Sequence, residues 1–370
     1  MKNSPTSLLT LAGAAAWLVL ALPACAADDT EEPESPRTGS TSSSLSLYGR
    51  MDLSVETVHA GAKSNVGYGT AGASRTQMAD NTSRLGFRGV EDLGAGQQAV
   101  FGIEFGINAP NGSLVSPPMR NAYVGLRGSW GTLNMGRLDS DTPTGSPLYS
   151  QAARNLRWIV HDAGVVAIGT RVLNGNNRVS NAISYKTPDL SGFNAVARVN
   201  LAGPDATNPT TNPALKSPDD FKQYQVALNY RNGPWGLGTG YGWDEKKGGF
   251  LANDFKNKTQ AVASYEATGF KTYALLSQER FNAAAGARSA VKVWLIGATV
   301  PWGMHRVTAN LMQRDVQTDP AGKLKKFQAD YSHSLSARST LYVFVDRDVS
   351  NSHLPNSQAT GVGVGMLHRF

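Results

Sequence analysis

Leu45-Ser46-Leu47-Tyr48-Gly49-Arg50-Met51-Asp52-Leu53-Ser54-Val55-Glu56 alternates without a break, with Leu45, Leu47, Gly49, Met51, Leu53 and Val55 on one side and Ser46, Tyr48, Arg50, Asp52, Ser54 and Glu56 on the other. Successive side chains of an extended chain point to opposite faces, so this spacing predicts a strand with one apolar and one polar face. The same division recurs along the chain. Leu85 and Phe87 oppose Arg84 and Arg88, and Ala99, Phe101, Ile103 and Phe105 oppose Gln98, Gly102 and Glu104. Ala195, Ala197 and Val199 oppose Asn194, Arg198 and Asn200, and Val307, Ala309 and Leu311 oppose Arg306, Thr308 and Asn310. About sixteen such segments follow one another, separated in turn by short Gly-, Asn- and Pro-containing turns and by longer polar intervals.

Two architectures carry this pattern. A soluble sandwich or small barrel turns its apolar faces inward. A membrane barrel exchanges the faces and sets short turns at one end and long loops at the other. Three features favour the membrane barrel. Past the leader, no stretch approaches the ~20 consecutive apolar residues of a membrane helix, so an exported chain that crosses a bilayer must do so as a closed barrel. The polar faces carry Arg, Glu, Asp and Asn near mid-strand, which suits an aqueous lumen. Trp130, Tyr185, Phe193, Trp235, Trp243, Tyr265, Phe270 and Trp302 sit near segment ends, where interfacial girdles lie.

One interval is out of proportion. Arg120–Arg127 and Thr132–Arg137 read as a hairpin around Gly128-Ser129-Trp130-Gly131, and about forty residues then pass before alternation resumes near Ser180. A connection of that length is usually functional or disordered. This one holds Tyr149, Trp158, the apolar run Val165-Val166-Ala167-Ile168 and charges of both signs. It is expected to fold back and pack against something.

The N-terminus sets the compartment. Lys2, an apolar core from Leu8 to Leu22, and Ala24-Cys25-Ala26 form a signal peptide over residues 1–26. Leu22-Pro23-Ala24-Cys25 also resembles a lipoprotein box in which Cys25 is lipidated. Residues 27–44 form an acidic, Pro- and Ser-rich flexible leader that lacks the apolar surface to order itself. Residues 45–370 form the barrel. The chain of 370 residues has a formal charge of +7, but residues 1–44 hold two basic and five acidic residues, so the remainder stands at +10. Such a balance suits small anions, anionic membranes or nucleic acid, and only position chooses among them.

Catalytic chemistry finds no foothold. His59, His161, His305, His333, His353 and His368 are scattered without metal-ligand spacing, and the chain has a single cysteine. HExxH, phosphate-loop and GxSxG motifs are absent from the sequence. No cofactor, metal or enzymatic activity is expected. The competing readings are a substrate-specific channel, a barrel hydrolase with nonlocal catalytic residues, and a soluble exported protein that binds polyanions.

Leu47-Tyr48-Gly49-Arg50, the block Ser83-Arg84-Leu85-Gly86-Phe87-Arg88-Gly89-Val90-Glu91-Asp92-Leu93-Gly94, Ala122-Tyr123-Val124-Gly125-Leu126, Gly136-Arg137-Leu138 and Leu367-His368-Arg369-Phe370 together resemble the general porins of β-proteobacteria and neisseriae. The resemblance runs in order from about Leu45 to Phe370. It implies an all-β fold, a 16-stranded antiparallel transmembrane β-barrel with a long third loop folded into the lumen, in the outer membrane of a Gram-negative bacterium. It also implies a homotrimer among outer-membrane lipids, passing small anions and hydrophilic solutes by passive diffusion, with no nucleic-acid partner. The alternation of Val362, Val364, Met366, His368 and Phe370 resembles the C-terminal strand that the barrel assembly machinery recognises. The acidic leader departs from the family pattern, which enters the first strand soon after the signal peptide.

In a narrow aqueous channel, low-dielectric walls focus the field of charged side chains. Arg50, Arg84, Arg88 and Arg198 have inward parity and are the expected basic lining. Strict alternation puts Arg137 with Leu133 and Met135, so only the family pattern assigns it to the lumen. Asp139, Asp141 and Asp162 on the loop are the expected opposite wall, with Glu104 supporting them from the barrel. The net positive balance points to weak anion selectivity.

Overall fold

In the computed structural model, residues 43–61, 72–138, 147–157, 159, 161, 179–201, 220–283, 289–317, 322–352 and 357–370 are described. The alternating segments form strands. β1 (Ser44–Ala60), β2 (Ser74–Asp80), β3 (Arg84–Gly94), β4 (Gln97–Asn108), β5 (Ser113–Gly128) and β6 (Gly131–Leu138) precede a helix, α1 (Pro147–Asn155). β7 (Val179–Lys186), β8 (Phe193–Asn200), β9 (Phe221–Asn232), β10 (Trp235–Lys246), β11 (Phe255–Ala267) and β12 (Phe270–Phe281) follow. β13 (Ala290–Trp302), β14 (His305–Gln317), β15 (Gly322–Ser334), β16 (Ser339–Ser352) and β17 (Ser357–Arg369) complete the wall.

β2 and β3 pair with successive parts of β1, Leu53 to His59 and Ser44 to Arg50 respectively. They are one stave interrupted at Asn81–Ser83, so the barrel has sixteen antiparallel staves. β1 also pairs with β17 from Arg50↔Arg369 to Ala60↔Ala359, and mutual backbone bonds of 3.0 and 3.1 Å between Gly49 and Phe370 extend the seam. Closure leaves the sheet without an edge, the condition for burying strand backbone in lipid.

The two faces of the wall are inverted relative to a soluble protein. Leu47, Val55, Phe87, Phe101, Leu276, Trp294, Ile296, Leu311, Val343 and Val364 are exposed on the outside, while Asp52, Glu104, Arg120, Asn200, Gln260, Lys326 and Asp346 are buried on the inside. Only a solvent that is itself apolar makes that arrangement favourable, at roughly 25 cal/mol per Å² of covered apolar surface. The β3–β4 turn shows how tightly one end is tied. Gly94, Ala95 and Gly96 take φ values of +83°, +49° and +75°, a run that glycine makes accessible.

The inner face is not polar throughout. Val262, Tyr273, Leu275, Val293 and Leu295 of β11–β13 form one apolar strip, and Val58, Tyr342, Phe344, Ala359 and Leu367 of β1, β16 and β17 form another. The described part of the long interval after β6 lies on both strips. Ala152 and Leu156 pack into the first and Ile159 into the second.

Candidate functional site

The site is built from β1, β3, β4 and β5, whose register sets basic residues side by side on the inner face. Arg50 is paired with Arg84, and Gly86 with both Tyr48 and Glu104. A side chain on Gly86 would meet the Tyr48 ring at 2.4 Å, so the glycine lets that ring lie flat. Its hydroxyl then donates to Glu104 Oε2 at 3.1 Å, and the Arg88 guanidinium stands over the ring at 5.0 Å. Glu104 is the hub. Arg84 Nε is 3.5 Å from its Oε2, and Arg120 Nε donates to its Oε1 at 2.5 Å. Arg50 is tied at the stave interruption, donating to the Asn81 carbonyl at 2.6 Å and to the Thr82 carbonyl at 3.2 Å, with Asp52 at 3.8 Å. Three guanidiniums thus meet two carboxylates while a fourth, that of Arg88, covers the Tyr48 ring, and these six charged side chains carry a formal charge of +2.

Beside this cluster lies the end of the described loop. His161 stacks on Tyr342 with centroids 3.4 Å apart and planes 6° apart, and its Nδ1 is 3.9 Å from Asp52 Oδ1. Tyr342 donates to Asp52 at 2.7 Å and accepts from Asn81 Nδ2 at 2.9 Å. Burial, with Arg50 and Arg306 adding to it, pushes the His161 imidazole down to about 3, so it sits against Asp52 as a neutral ring. On the other side, α1 rests on inward-facing residues of β9–β11. Gln151 Nε2 donates to the carbonyls of Leu228 and Thr239 and to Asn229 Oδ1, each at 3.0 Å, and Gln260 donates to the Leu148 carbonyl at 2.6 Å. Ser264 donates to Asn155 Oδ1 at 3.0 Å. Side chains at Gly238 and Gly240 would meet Gln151 at 2.5 Å and Leu148 at 2.2 Å. The glycines of β10 are therefore the bed of the helix.

Arg50, Arg84, Arg88 and Glu104 are brought together. Arg198 is also inward and buried, but it stands apart on β8, where its Nη2 donates to Gln223 at 3.1 Å. Arg137 stands beside a register irregularity between Gly136 and Leu138. It pairs with Ala122, and its guanidinium donates to the Met119 carbonyl at 2.7 Å and to Ser180 Oγ at 2.8 Å. Asp139, Asp141 and Asp162 lie outside the described residues.

Arg120, Asp52 and His161 are the members that alternation does not single out as a group. Arg120 and Asn121 are both buried because the β4–β5 register slips between Glu104 and Phe105, which face Asn121 and Met119, and Arg120 falls at the slip. A bulge of this kind re-aims a side chain, and Ser116-Pro117-Pro118 just upstream is the only hint of irregularity in the sequence.

A closed barrel with an apolar exterior, a polar interior and a guanidinium-rich patch on its inner wall is a membrane-spanning channel of the outer-membrane kind. The family model for Gram-negative porins matches residues 10–353. Outer membrane porin protein 32 of Delftia acidovorans is 30% identical over 350 residues, covering 89% of this chain and 94% of that protein. An outer membrane porin of Bordetella pertussis is 27% identical, covering 78% of this chain and 83% of that one. Among solved structures, an anion-selective porin from Comamonas acidovorans superposes with a TM-score of 0.70 at 25% identity, over 89% of this chain and all of that one. The chain belongs to the Gram-negative porin family. It is an outer-membrane barrel for passive diffusion.

Proposed function

We propose that the channel is weakly anion-selective and that the segment after β6 forms its constriction. The inner-wall cluster carries this reading, since Arg50, Arg84, Arg88 and Arg120 outnumber Asp52 and Glu104 on the wall beside His161. Ions and small hydrophilic solutes move down their gradients, enriched or depleted by the local field and bound by none of it. The solved relative named as anion-selective supports the sign. The pore operates as a homotrimer, carries no catalytic step and needs no cofactor. Residues 1–26 are removed as a signal peptide, residues 27–44 serve as a spacer, and the strand ending at Phe370 is what the assembly machinery engages. Single-channel current in a planar bilayer under a KCl gradient tests the reading, with wild type compared with a variant carrying Arg50→Gln, Arg84→Gln and Arg120→Gln. Stepwise conductance in threes, with an anion preference that shrinks in the variant, is expected. A variant that conducts with unchanged selectivity removes the cluster from the selectivity filter. Release of product from an added lipid or peptide would reopen the hydrolase reading.

A further inference from the structure

On the outside of the wall, at the end of the short turns, β14 and β15 set His305 directly opposite His333. Their Nδ1 atoms are 3.2 Å apart, with ring centroids separated by 4.6 Å. The Tyr331 hydroxyl lies 2.7 Å from His305 Nδ1, and the Trp302 ring lies 5.7 Å from the His305 ring at an interplanar angle of 20°. Both histidines are half-buried.

A neutral imidazole nitrogen offers either one N–H or one lone pair in the ring plane. His305 Nδ1 faces both Tyr331 and His333, and one proton or lone pair cannot serve two partners well. A cation bound by both Nδ1 lone pairs resolves the conflict. Zinc–imidazole bonds of about 2.0–2.1 Å at a tetrahedral angle put two nitrogen ligands about 3.3 Å apart. The observed 3.2 Å matches that spacing. Imidazole is a donor suited to Zn, Cu and Ni. We propose that His305 and His333 form a binding site for a divalent transition-metal ion on the outer rim of the barrel, with the Tyr331 oxygen beside it and the remaining positions open to water. The site is on the opposite face of the wall from the channel cluster, so it stands or falls separately from the selectivity reading.

The full chain, folded in detergent and stripped of metal, is titrated with ZnCl2 by calorimetry. In parallel, diethylpyrocarbonate labelling read by mass spectrometry follows each histidine with and without Zn²⁺. One ion per chain is expected, with Zn²⁺ protecting His305 and His333. His59 and His368, each beside a single serine hydroxyl at 3.0 and 2.8 Å, should label equally in both conditions. His305→Asn and His333→Asn should each weaken binding about tenfold or more, while His368→Asn leaves it unchanged. Absence of stoichiometric binding, protection confined to other histidines, or full binding by the His305→Asn/His333→Asn double variant would overturn the proposal. If a variant fails to fold, the protection pattern on the wild-type chain still decides.

Discussion

Replacing Glu104 by glutamine removes one negative charge from the centre of the inner-wall cluster while keeping an acceptor for Tyr48. Glu104 holds Arg84 at 3.5 Å and Arg120 at 2.5 Å, so the cluster's formal charge rises from +2 to +3. For an ion passing roughly 8 Å away through water, one unit charge contributes about 0.5 kcal/mol, and more where the low-dielectric wall focuses the field. That is a factor of about 2.3 in local concentration for each sign of ion. The anion-to-cation permeability ratio should therefore rise about fivefold at low salt and less at high salt, because the Debye length is only about 10 Å at 0.1 M. The assay is the reversal potential of single channels across a KCl gradient, repeated at two ionic strengths. Heat-modifiable gel mobility confirms that the variant barrel is folded. An unchanged ratio, or a shift towards cations, would refute the assignment of this cluster to the selective region.

Leu156 is fully buried in the apolar strip of β11–β13, so Leu156→Ala should weaken loop docking by about 2–5 kcal/mol. Larger and noisier single-channel conductance would register it, and an unaltered trace would place the constriction elsewhere. Ile296 sits mid-strand on β13, facing outward with 47% exposure. Ile296→Arg should cost about 2–4 kcal/mol of barrel stability in a bilayer, measured by urea unfolding in liposomes, and a neutral result would contradict a lipid-facing position. The His161 imidazole is held down to about 3 when docked, whereas a released one titrates near 6.5. Between those values only the released loop takes up the proton, so docking is intact above about pH 6.5 and weakens as pH falls, by about 2 kcal/mol at pH 5. Conductance fluctuations should grow on acidification in wild type and lose that dependence in His161→Asn. Equal pH profiles would remove His161 from the docking contact.

Alternation carried the wall. Face assignment follows from a period of two, a local property of the chain, so Arg50, Arg84, Arg88, Glu104 and Arg198 are inward by counting alone. The length of the interval after β6 marked a segment that packs back, and its own apolar residues, Leu156 and Ile159, meet the inner wall. The apolar strips that receive it were legible only in part, because Val262, Tyr273, Leu275 and Tyr342 read as ordinary strand residues until the wall is closed.

Which inward residues meet belongs to the tertiary structure. Arg198 and Arg84 share a face and a residue type, yet sheet order sets them on separate staves, and only Arg84 reaches Glu104. Arg120 joins the hub through a slip in register. His161 reaches Asp52 across 109 residues of chain, and His305 and His333 become neighbours because a hairpin folds 28 residues back on itself. By itself the sequence determined that the chain is a barrel, which way each strand faces and where its long interval falls, since these are set by nearest neighbours along the chain. Register, bulges and the path of the loop were decided only on closure, since they depend on contacts between residues far apart in sequence, whose relative positions no local periodicity records.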